Sequence, residues 1–405
     1  MNHKLLLLLL SGSAVMSANG QLQLTKQAKK VRIEITNPSA EARTDEPVAI
    51  AFPEGKFRSV TVFDGKKEIA SQIDDLNENG KPEELAFVIN LKGNEKKVVT
   101  LVFDEKEAPS NRYPARVHAQ MFFRDKKSKQ ITPTDTAASP TGNLYNDLHH
   151  HGPAFESELM AYRLYFDRKQ TVDLYGKYSK QLELAESLWY PTDEQLAKGF
   201  GDDILRVSGS VGIGTLKGWT GKKAIHIEPV KKREARILAK GPVRTVVDMN
   251  VTGWEYQGKS VDVKSRFILY AGQRECEVIQ KFTSPAASEL TYVTGVQKIA
   301  DSKLHISDQK GMTASWGTDW PVNDTVKYAK QTLGLAVEIP EQYVVNEVED
   351  KVNYLYEIRP DAQGEICYRM TVCAEKENFG VKSPEAFFDY VNAWKEKEPV
   401  RLRVK

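Results

Sequence analysis

The chain has 405 residues, of which 57 are Lys or Arg and 55 are Asp or Glu, so its formal net charge at pH 7 is +2. The opposite charges are interspersed along the sequence, which therefore carries no basic footprint for nucleic acid. With 40% hydrophobic residues, a chain of this length can bury a large core.

The first twenty residues have the order of an export signal. Lys4 precedes the apolar run 5–10, and the small residues Ala18 and Gly20 then frame a cleavage point. The apolar run is too short to remain as a membrane anchor. We therefore predict a signal peptide at residues 1–20, no membrane span, and a periplasmic or secreted location.

Strand patterns dominate the rest of the sequence. Residues 31–36 alternate between apolar and polar, and segments 243–254, 260–270 and 276–282 are rich in β-branched and aromatic residues with turns between them. One clear helix follows Ser383, an N-cap residue with proline after it. The patterns predict a mainly β fold, an antiparallel supersandwich with few short helices and one C-terminal helix.

Two polar segments divide this pattern. Residues 105–114 contain two prolines and are the predicted linker between an N-terminal β-sandwich region at 21–108 and a large supersandwich domain at 109–405. The first region could also be part of the main sheet system. Residues 126–143 are rich in Lys, Thr, Ser and Pro and are predicted to form a long loop, a kind of segment that often carries function.

One polar loop resembles a calcium-binding loop. Oxygen-bearing side chains recur at Asp75, Asn77, Asn79 and Glu83, with Gly80 after the third of them. Two of the four are uncharged, which weakens calcium binding. The sequence leaves open a structural calcium ion held by these four residues and a polar hairpin loop without metal. No other cofactor is expected.

The densest group of ionisable residues begins at three adjacent histidines. The following segments 155–166 and 171–177 are rich in strand-forming residues, and 167–170 is a turn. In a symmetric hairpin of the two segments Tyr162 faces Tyr175, and alternation collects glutamates and tyrosines on one face. The structural alternative is a solvated face with ordinary Lys–Glu pairs.

These residue types suit chemistry on a sugar acid. In an elimination, one group removes the proton beside the carboxylate, another protonates the leaving oxygen, and a cation neutralises the carboxylate. In a hydrolysis, two carboxyl groups flank the glycosidic bond. A metal site built from two of the histidines and a glutamate is a further alternative. The predicted catalytic residues are His149, His150, His151, Glu156, Glu158, Tyr162, Arg163, Tyr175 and Lys177.

Several tryptophans stand beside glycine or proline, where loop aromatic rings can stack on sugar faces. Packing in the core is the alternative for each of them. The predicted substrate-binding residues are Asp173, Trp189, Tyr190, Trp219, Trp316 and Trp320.

The run HHHGPAFESELMAYRLYFDRKQTVDLYGK resembles the signature of the family called domain of unknown function 4861. The stretches DDLNENGKPEEL and FGDDILRVSGSVGIG add to the resemblance, which covers nearly the whole mature chain. It implies secreted proteins of the Bacteroidetes type, often associated with pectin-like polysaccharide breakdown, and a galactose-mutarotase-like supersandwich. The resemblance supplies no activity, so the catalytic residues remain inferences from the residues themselves.

Three functions are therefore open. The first is lysis or hydrolysis of a uronate-containing, pectin-like oligosaccharide, so that the expected partner is an acidic oligosaccharide. The second is a glycan-binding protein without catalysis that uses the same face. The third is a sugar epimerase of the mutarotase type, in which a histidine and a glutamate act on opposite sides of the ring.

Overall fold

The chain divides into two compact units, one formed by Met1–Pro114 with Lys397–Lys405 and the other by Ala115–Glu396. Of the predicted signal peptide, only Ala14–Met16 lies within the described residues. The predicted mainly β fold of antiparallel sheets with few helices is confirmed. The computed structural model describes residues 14–16, 22–24, 29–53, 57–106, 113–300 and 304–405.

The smaller unit is a sandwich of two five-stranded sheets. Side chains alternate along the strands, so Ile33, Phe87 and Leu101 are fully buried between the sheets. One sheet contains, in spatial order, Ala14–Met16, Leu22–Leu24, Arg43–Ala51, Glu84–Leu91 and Ser71–Asp74. The other contains, in spatial order, Arg401–Val404, Lys30–Thr36, Lys96–Asp104, Ser59–Asp64 and Lys67–Ile69.

The larger unit is built on a nine-stranded antiparallel sheet. Long alternating strands such as Lys232–Lys240 bury every second side chain on one face. In spatial order its strands are Thr136–Ser139, Lys232–Lys240, Arg244–Tyr256, Lys259–Tyr270, Cys276–Phe282, Glu365–Ala374, Gln331–Glu338, Met312–Asp319 and Leu304–Ser307.

Two five-stranded antiparallel sheets share one large apolar core with the nine-stranded sheet. The first, called here the site sheet, contains Val117–Gln120, Ala154–Ser157, Met160–Leu164, Val172–Gly176 and Asp202–Asp203. The second contains Ala224–Ile225, Lys217–Trp219, Tyr292–Gln297, Asn353–Ile358 and Val344–Glu349. A separate two-stranded hairpin contains Phe122–Arg124 and Ile131–Pro133.

Helices are short except for the predicted C-terminal one. Ser383 caps it by accepting a hydrogen bond from the Ala386 N–H, and Phe387, Val391 and Trp394 pack against the nine-stranded sheet. None of the helices in the described ranges has the length and apolar character needed to cross a bilayer. The helices are Leu184–Ser187, Asp193–Ala197 and Pro384–Lys395, and the 3₁₀ turns are His149–His151, Pro285–Glu289 and Glu341–Tyr343.

Candidate functional site

The predicted symmetric hairpin has the wrong register. Tyr162 lies opposite Leu174, not Tyr175, and Arg163 lies opposite Asp173. The connection holds an odd number of residues, and Gln170 adopts a left-handed conformation with φ of 47°. This shift of one residue changes every cross-strand pair that the symmetric turn predicted.

The predicted single strand over 155–166 is also interrupted. The chain turns after Ser157, and Ala154–Ser157 pairs with Met160–Leu164, so that Glu156 lies opposite Ala161. Glu156 and Glu158 are therefore not neighbours along one strand face. The proposed face divides in two, since one side of the site sheet enters the main core and the other is covered by the segment 184–190.

Two of the predicted catalytic residues, Glu156 and Lys177, are buried and form a closed ion pair. The Lys177 ammonium donates to Glu156 at 2.5 Å, and neither side chain has any exposed area. Glu156 also accepts from the main-chain N–H groups of Glu183 and Leu184. Such a closed pair holds the covering segment to the sheet and leaves no route for a substrate.

The two predicted catalytic tyrosines belong to different layers. Tyr162 is buried in the main core, where its hydroxyl donates to the carbonyl of Arg274. The Tyr175 hydroxyl donates to Glu183 at 2.8 Å under the covering segment. Glu158 is partly exposed and accepts from Arg116 at 2.5 Å. The geometry favours structural roles for all three.

Arg163 and Asp173 form the centre of the candidate site. Each side chain is only 3% exposed, and the guanidinium donates to the Asp173 carboxylate directly across the two strands. The guanidinium also lies 4.3 Å from the ring centre of Trp189 and donates to the Tyr190 hydroxyl at 3.2 Å. Four predicted residues thus come together: one charged pair and two aromatic rings.

The three histidines lie beside this centre, each in a different environment. His150 is 1% exposed and accepts from the Gln120 amide at 3.4 Å, while His149 donates to the Leu188 carbonyl at 3.2 Å. His151 donates to the Tyr145 carbonyl and stacks on its ring at 3.8 Å. Burial lowers the pKa of all three imidazoles, so they are neutral at pH 7.

Strained backbone conformations cluster around the same centre. His150 and His151 have φ of 42° and 70°, and Leu188 and Trp189 have φ of 50° and 74°. Bulky residues rarely adopt the left-handed region, and such strain is commonly found at functional sites. Of these four residues, Trp189 lies directly against Arg163, and His150 and His151 are near enough for its charge to lower their pKa values.

A cleft of about 380 Å³ opens on the solvent side of this centre. Tyr165 connects the two, because its hydroxyl accepts from Arg163 at 2.9 Å and donates to Asp173 at 2.7 Å. Two cationic side chains, Lys169 and Arg206, bring positive charge to the cleft wall. The polar lining consists of Tyr145, Tyr165, Lys169, Asp173, Asp203, Arg206, Ser208 and Asn323.

Asp203 is the carboxyl group of the cleft that can hold a proton near neutral pH. Burial raises its pKa to about 7, although the Arg163 guanidinium 3.8 Å away acts in the opposite direction. Its Oδ1 accepts from the Trp189 indole N–H at 2.6 Å, which fixes the carboxyl group in place. Its side chain retains 14% exposure, so a ligand in the cleft can reach it.

Two buried cations hold the turn that carries Lys169. The Lys217 ammonium donates to the Lys169 carbonyl and to the Thr171 hydroxyl, and Arg233 donates to the Gln170 side chain at 2.6 Å. Both cations are 1% exposed. Their hydrogen bonds fix the backbone of the turn, and with it the position of Lys169 at the cleft.

The remaining predicted tryptophans are mostly structural. Trp219 packs with Val211 and Val293, and Trp316 packs under the C-terminal helix. Trp320 is half-buried and directly precedes Pro321, which lines the cleft. Of these three, Trp320 is therefore the one next to a cleft-lining residue.

The predicted calcium loop is a hydrogen-bonded polar turn in the smaller unit. Asp75 accepts from the main-chain N–H groups of Asn79 and Gly80, Asn77 from that of Asn79, and Glu83 from that of Leu76. Within the described ranges no three His, Cys, Asp or Glu side chains gather as a metal site requires. Calcium binding there stays a prediction.

Sequence reasoning missed Tyr145, Tyr165, Lys169, Asp203 and Arg206. Asp203 and Arg206 lie in FGDDILRVSGSVGIG, one of the stretches that carried the family resemblance, and this was the available signal. Asp203 reaches the site through a strand of two residues that pairs with Val172–Gly176. A strand that short leaves no periodic pattern.

Solved structures with this fold include a protein in the glycosyl hydrolase family 38 from Enterococcus faecalis. It has a TM-score of 0.50 and 11% sequence identity, and the match covers 94% of this chain and 48% of that one. An alpha-mannosidase from Enterococcus faecalis V583 also matches, with a TM-score of 0.47, 11% identity, and coverage of 94% and 46%. The chain thus spans about half the length of these solved chains.

At this level of identity the first likeness shows a shared fold. No curated protein matches the chain. A family model described as a domain of unknown function (DUF4861) matches residues 35–404, which is most of the sequence. The chain therefore belongs to the DUF4861 family.

Proposed function

We propose that this protein cleaves a uronate-containing oligosaccharide in the cleft beside Arg163, with Asp203 as the proton donor. The observation that carries the proposal is the position of a carboxyl group with a pKa of about 7 in an open, tyrosine-lined cleft with two cations. The Enterococcus faecalis protein that shares this fold belongs to the glycosyl hydrolase family 38, which supports a carbohydrate substrate.

The charges of the cleft support an acidic sugar. Asp173 pairs with Arg163, and burial raises the pKa of Asp203 to about 7. The positive charge of the wall comes from Lys169, whose carboxylate partner Asp167 is 3.8 Å away, and from Arg206. Arg206 is 37% exposed at its side chain, and its nearest carboxylate, Asp319, is 3.9 Å away. A guanidinium placed in this way can accept a substrate carboxylate with two hydrogen bonds.

Lysis is the first form of the reaction. A base removes the proton beside the uronate carboxylate, its electrons form the new carbon–carbon double bond, and the glycosidic carbon–oxygen bond breaks as Asp203 protonates the leaving oxygen. A cation on the carboxylate stabilises the charge that develops. The proposed base is the neutral His151 imidazole, which stacks on the cleft-lining residue Tyr145.

Hydrolysis is the second form and needs a further carboxylate beside the bond. Asp173 also lines the cleft, but its Oδ2 accepts from Arg163 and Tyr165 and its Oδ1 accepts from the Leu174 N–H. A carboxylate with both oxygens engaged is a poor nucleophile. The hydrogen bonds of Asp173 therefore favour lysis.

The test compares Asp203→Asn with Asp202→Asn on a panel of pectic and other acidic oligosaccharides. Asp202 neighbours Asp203 on the same short strand and does not line the cleft. It accepts from the Asp203 N–H at 2.7 Å, which an asparagine oxygen can also do, and it raises the Asp203 pKa less than burial does, so its variant is a matched control. We expect Asp203→Asn to lose activity by roughly a hundredfold or more, as for the loss of a general acid, and Asp202→Asn to remain close to wild type. Ultraviolet absorbance detects the unsaturated product of lysis, and mass spectrometry detects either product.

The pH profile gives a second readout. Because Asp203 must carry its proton to act as an acid, activity should fall as the pH rises through about 7, and the same decline should be absent from any residual activity of Asp203→Asn. Wild-type turnover by Asp203→Asn on a confirmed substrate would show that another group donates the proton. If the protein binds acidic oligosaccharides but cleaves none of them, it is instead a glycan-binding protein.

A further inference from the structure

An exposed hairpin beside the site carries a concentration of positive charge. Its strands Phe122–Arg124 and Ile131–Pro133 are joined by a turn with one carboxylate, Asp125, which accepts from the Lys127 N–H at 2.9 Å and from the Ser128 N–H at 2.6 Å. That carboxylate is directed at the turn backbone. The exposed cations of the hairpin are Arg124, Lys126, Lys127 and Lys129.

Lys129 lies near enough to Asp125 to lower the pKa of that carboxyl group, but most of the hairpin cations form no ion pair with another described residue. Lys126 pairs with Asp147 at 2.6 Å, but both side chains are well exposed, at 67% and 39%. Among the described residues, Arg124, Lys127 and Lys129 form no ion pair. Exposed ion pairs such as Lys126–Asp147 contribute little to stability, so a ligand can displace Asp147 from Lys126 at little cost. The charge of the hairpin is therefore available to a ligand.

The base of the hairpin is joined to the candidate site by a row of aromatic rings. The Phe122 ring lies 6.3 Å from that of His149, and His149 lies 5.7 Å from Tyr190. Tyr190 is 46% exposed and accepts from Arg163 at 3.2 Å. Phe123, beside Phe122, is 39% exposed. A row of rings, of which Tyr190 is exposed and His149 and Phe122 are half-buried, thus leads from Arg163 to the basic hairpin.

We infer that the hairpin is a second binding site for a polyanionic glycan, separate from the cleft. A long acidic chain held in the cleft continues across Tyr190 and His149, whose rings stack on sugar faces, and its next carboxylates pair with Arg124, Lys127 and Lys129. The inference rests on the proposed cleft function and adds a preference for long acidic chains over short ones.

The test measures binding of galacturonate oligomers of two and of eight residues by calorimetry, in the Asp203→Asn background so that the ligand stays intact. The hairpin variant is Arg124→Gln with Lys127→Gln and Lys129→Gln. The matched control, Lys222→Gln with Lys223→Gln and Lys351→Gln, removes the same charge from exposed lysines elsewhere. We expect the hairpin variant to bind the octamer about tenfold more weakly than the control does and the dimer equally well.

The difference between the two variants should shrink at high salt, because the contacts are exposed charge pairs. Equal octamer affinity in the hairpin and control variants would overturn the inference, as would an equal loss of dimer and octamer binding in the hairpin variant. A selective loss of octamer binding in a protein that cleaves nothing would support the hairpin site and refute the proposed catalysis, so the two failures are distinguishable.

Discussion

Arg163 determines the electrostatics of the cleft from behind its wall. The guanidinium is buried, and its charge is compensated mainly by Asp173, to which it donates a hydrogen bond. The Asp203 carboxyl group lies 3.8 Å from the same guanidinium. The guanidinium lowers the pKa of Asp203, but burial raises it by more. Asp203 is therefore the carboxyl group beside Arg163 whose pKa burial raises to about 7, which suits the proposed proton donor.

The buried Glu156–Lys177 pair should be important for stability. Glu156→Gln leaves the Lys177 ammonium in the interior without a counter-charge, since both side chains are 0% exposed. We expect the free energy of unfolding to fall by about 3–5 kcal/mol. Chemical denaturation measures this difference.

The control is Glu158→Gln, the same substitution two residues further on. Glu158 and its partner Arg116 have side-chain exposures of 19% and 34%, so we expect a loss of about 1 kcal/mol or less. Equal stabilities of the two variants would contradict a structural role for the buried pair.

At the level of single residues, the sequence singled out residues that lie together in the candidate site but not Asp203, the proposed proton donor. His149, Arg163, Asp173, Trp189 and Tyr190 stood out because ionisable and aromatic residues are concentrated there, and the structure brings them together. Glu156 and Lys177 stood out for the same reason, although they form a closed ion pair. Residue type alone does not distinguish a buried pair from an accessible one.

The element that places the histidines is a turn pressed against the site sheet. The Phe166 N–H donates to the His151 carbonyl at 2.8 Å, and the Leu164 N–H donates to that of Pro153 at 3.0 Å. Gly152 lies between these two contacts. A Cβ atom on Gly152 would lie 1.9 Å from the Leu164 carbonyl oxygen, so this close approach requires glycine.

Gly152→Ala should therefore displace the histidine turn. We expect a loss of stability of about 1–3 kcal/mol or more from the backbone clash, together with loss of cleft binding. Gly209→Ala is the control, since a Cβ atom there would meet nothing within 4 Å. Chemical denaturation measures the loss of stability, and calorimetry measures oligosaccharide binding. Normal binding by Gly152→Ala would show that the position of the histidine turn does not matter for binding.

At the level of elements, prediction succeeded where strands are long. Cys276–Phe282 and the C-terminal helix Pro384–Lys395 lie at or near their predicted positions because periodicity and capping mark them. The site hairpin failed because its register depends on the conformation of one turn residue, Gln170, and because Ser157 ends a strand inside an unbroken pattern. Neither feature has a signature in composition.

At the scale of the whole molecule, the candidate site belongs to one unit. The cleft residues lie between Tyr145 and Asn323, within Ala115–Glu396, and the core of that unit is its own. We expect a chain of residues 115–396 to unfold cooperatively and to bind acidic oligosaccharides with the affinity of the full chain. Calorimetry and denaturation test both points, and an aggregated or non-binding fragment would show that the smaller unit is required.

In the smaller unit, the sequence did not predict that the strand Arg401–Val404 pairs with Lys30–Thr36. Leu402 pairs with Ile35 and Val404 with Ile33, so residues at the end of the chain complete a sheet begun near its start. Four residues in which arginine alternates with an apolar residue are too short a pattern to indicate so distant a partner. Only the spatial arrangement shows that the larger unit is an insertion into the smaller one.

This connectivity has a consequence for biosynthesis. Until Arg401–Val404 leave the ribosome, the edge of strand Lys30–Thr36 has no partner on that side, and its N–H and C=O groups are open to pairing with another chain. A chain that lacks Arg401–Val404 would keep every residue of the candidate site but would expose this strand edge of the smaller unit, so we expect it to aggregate.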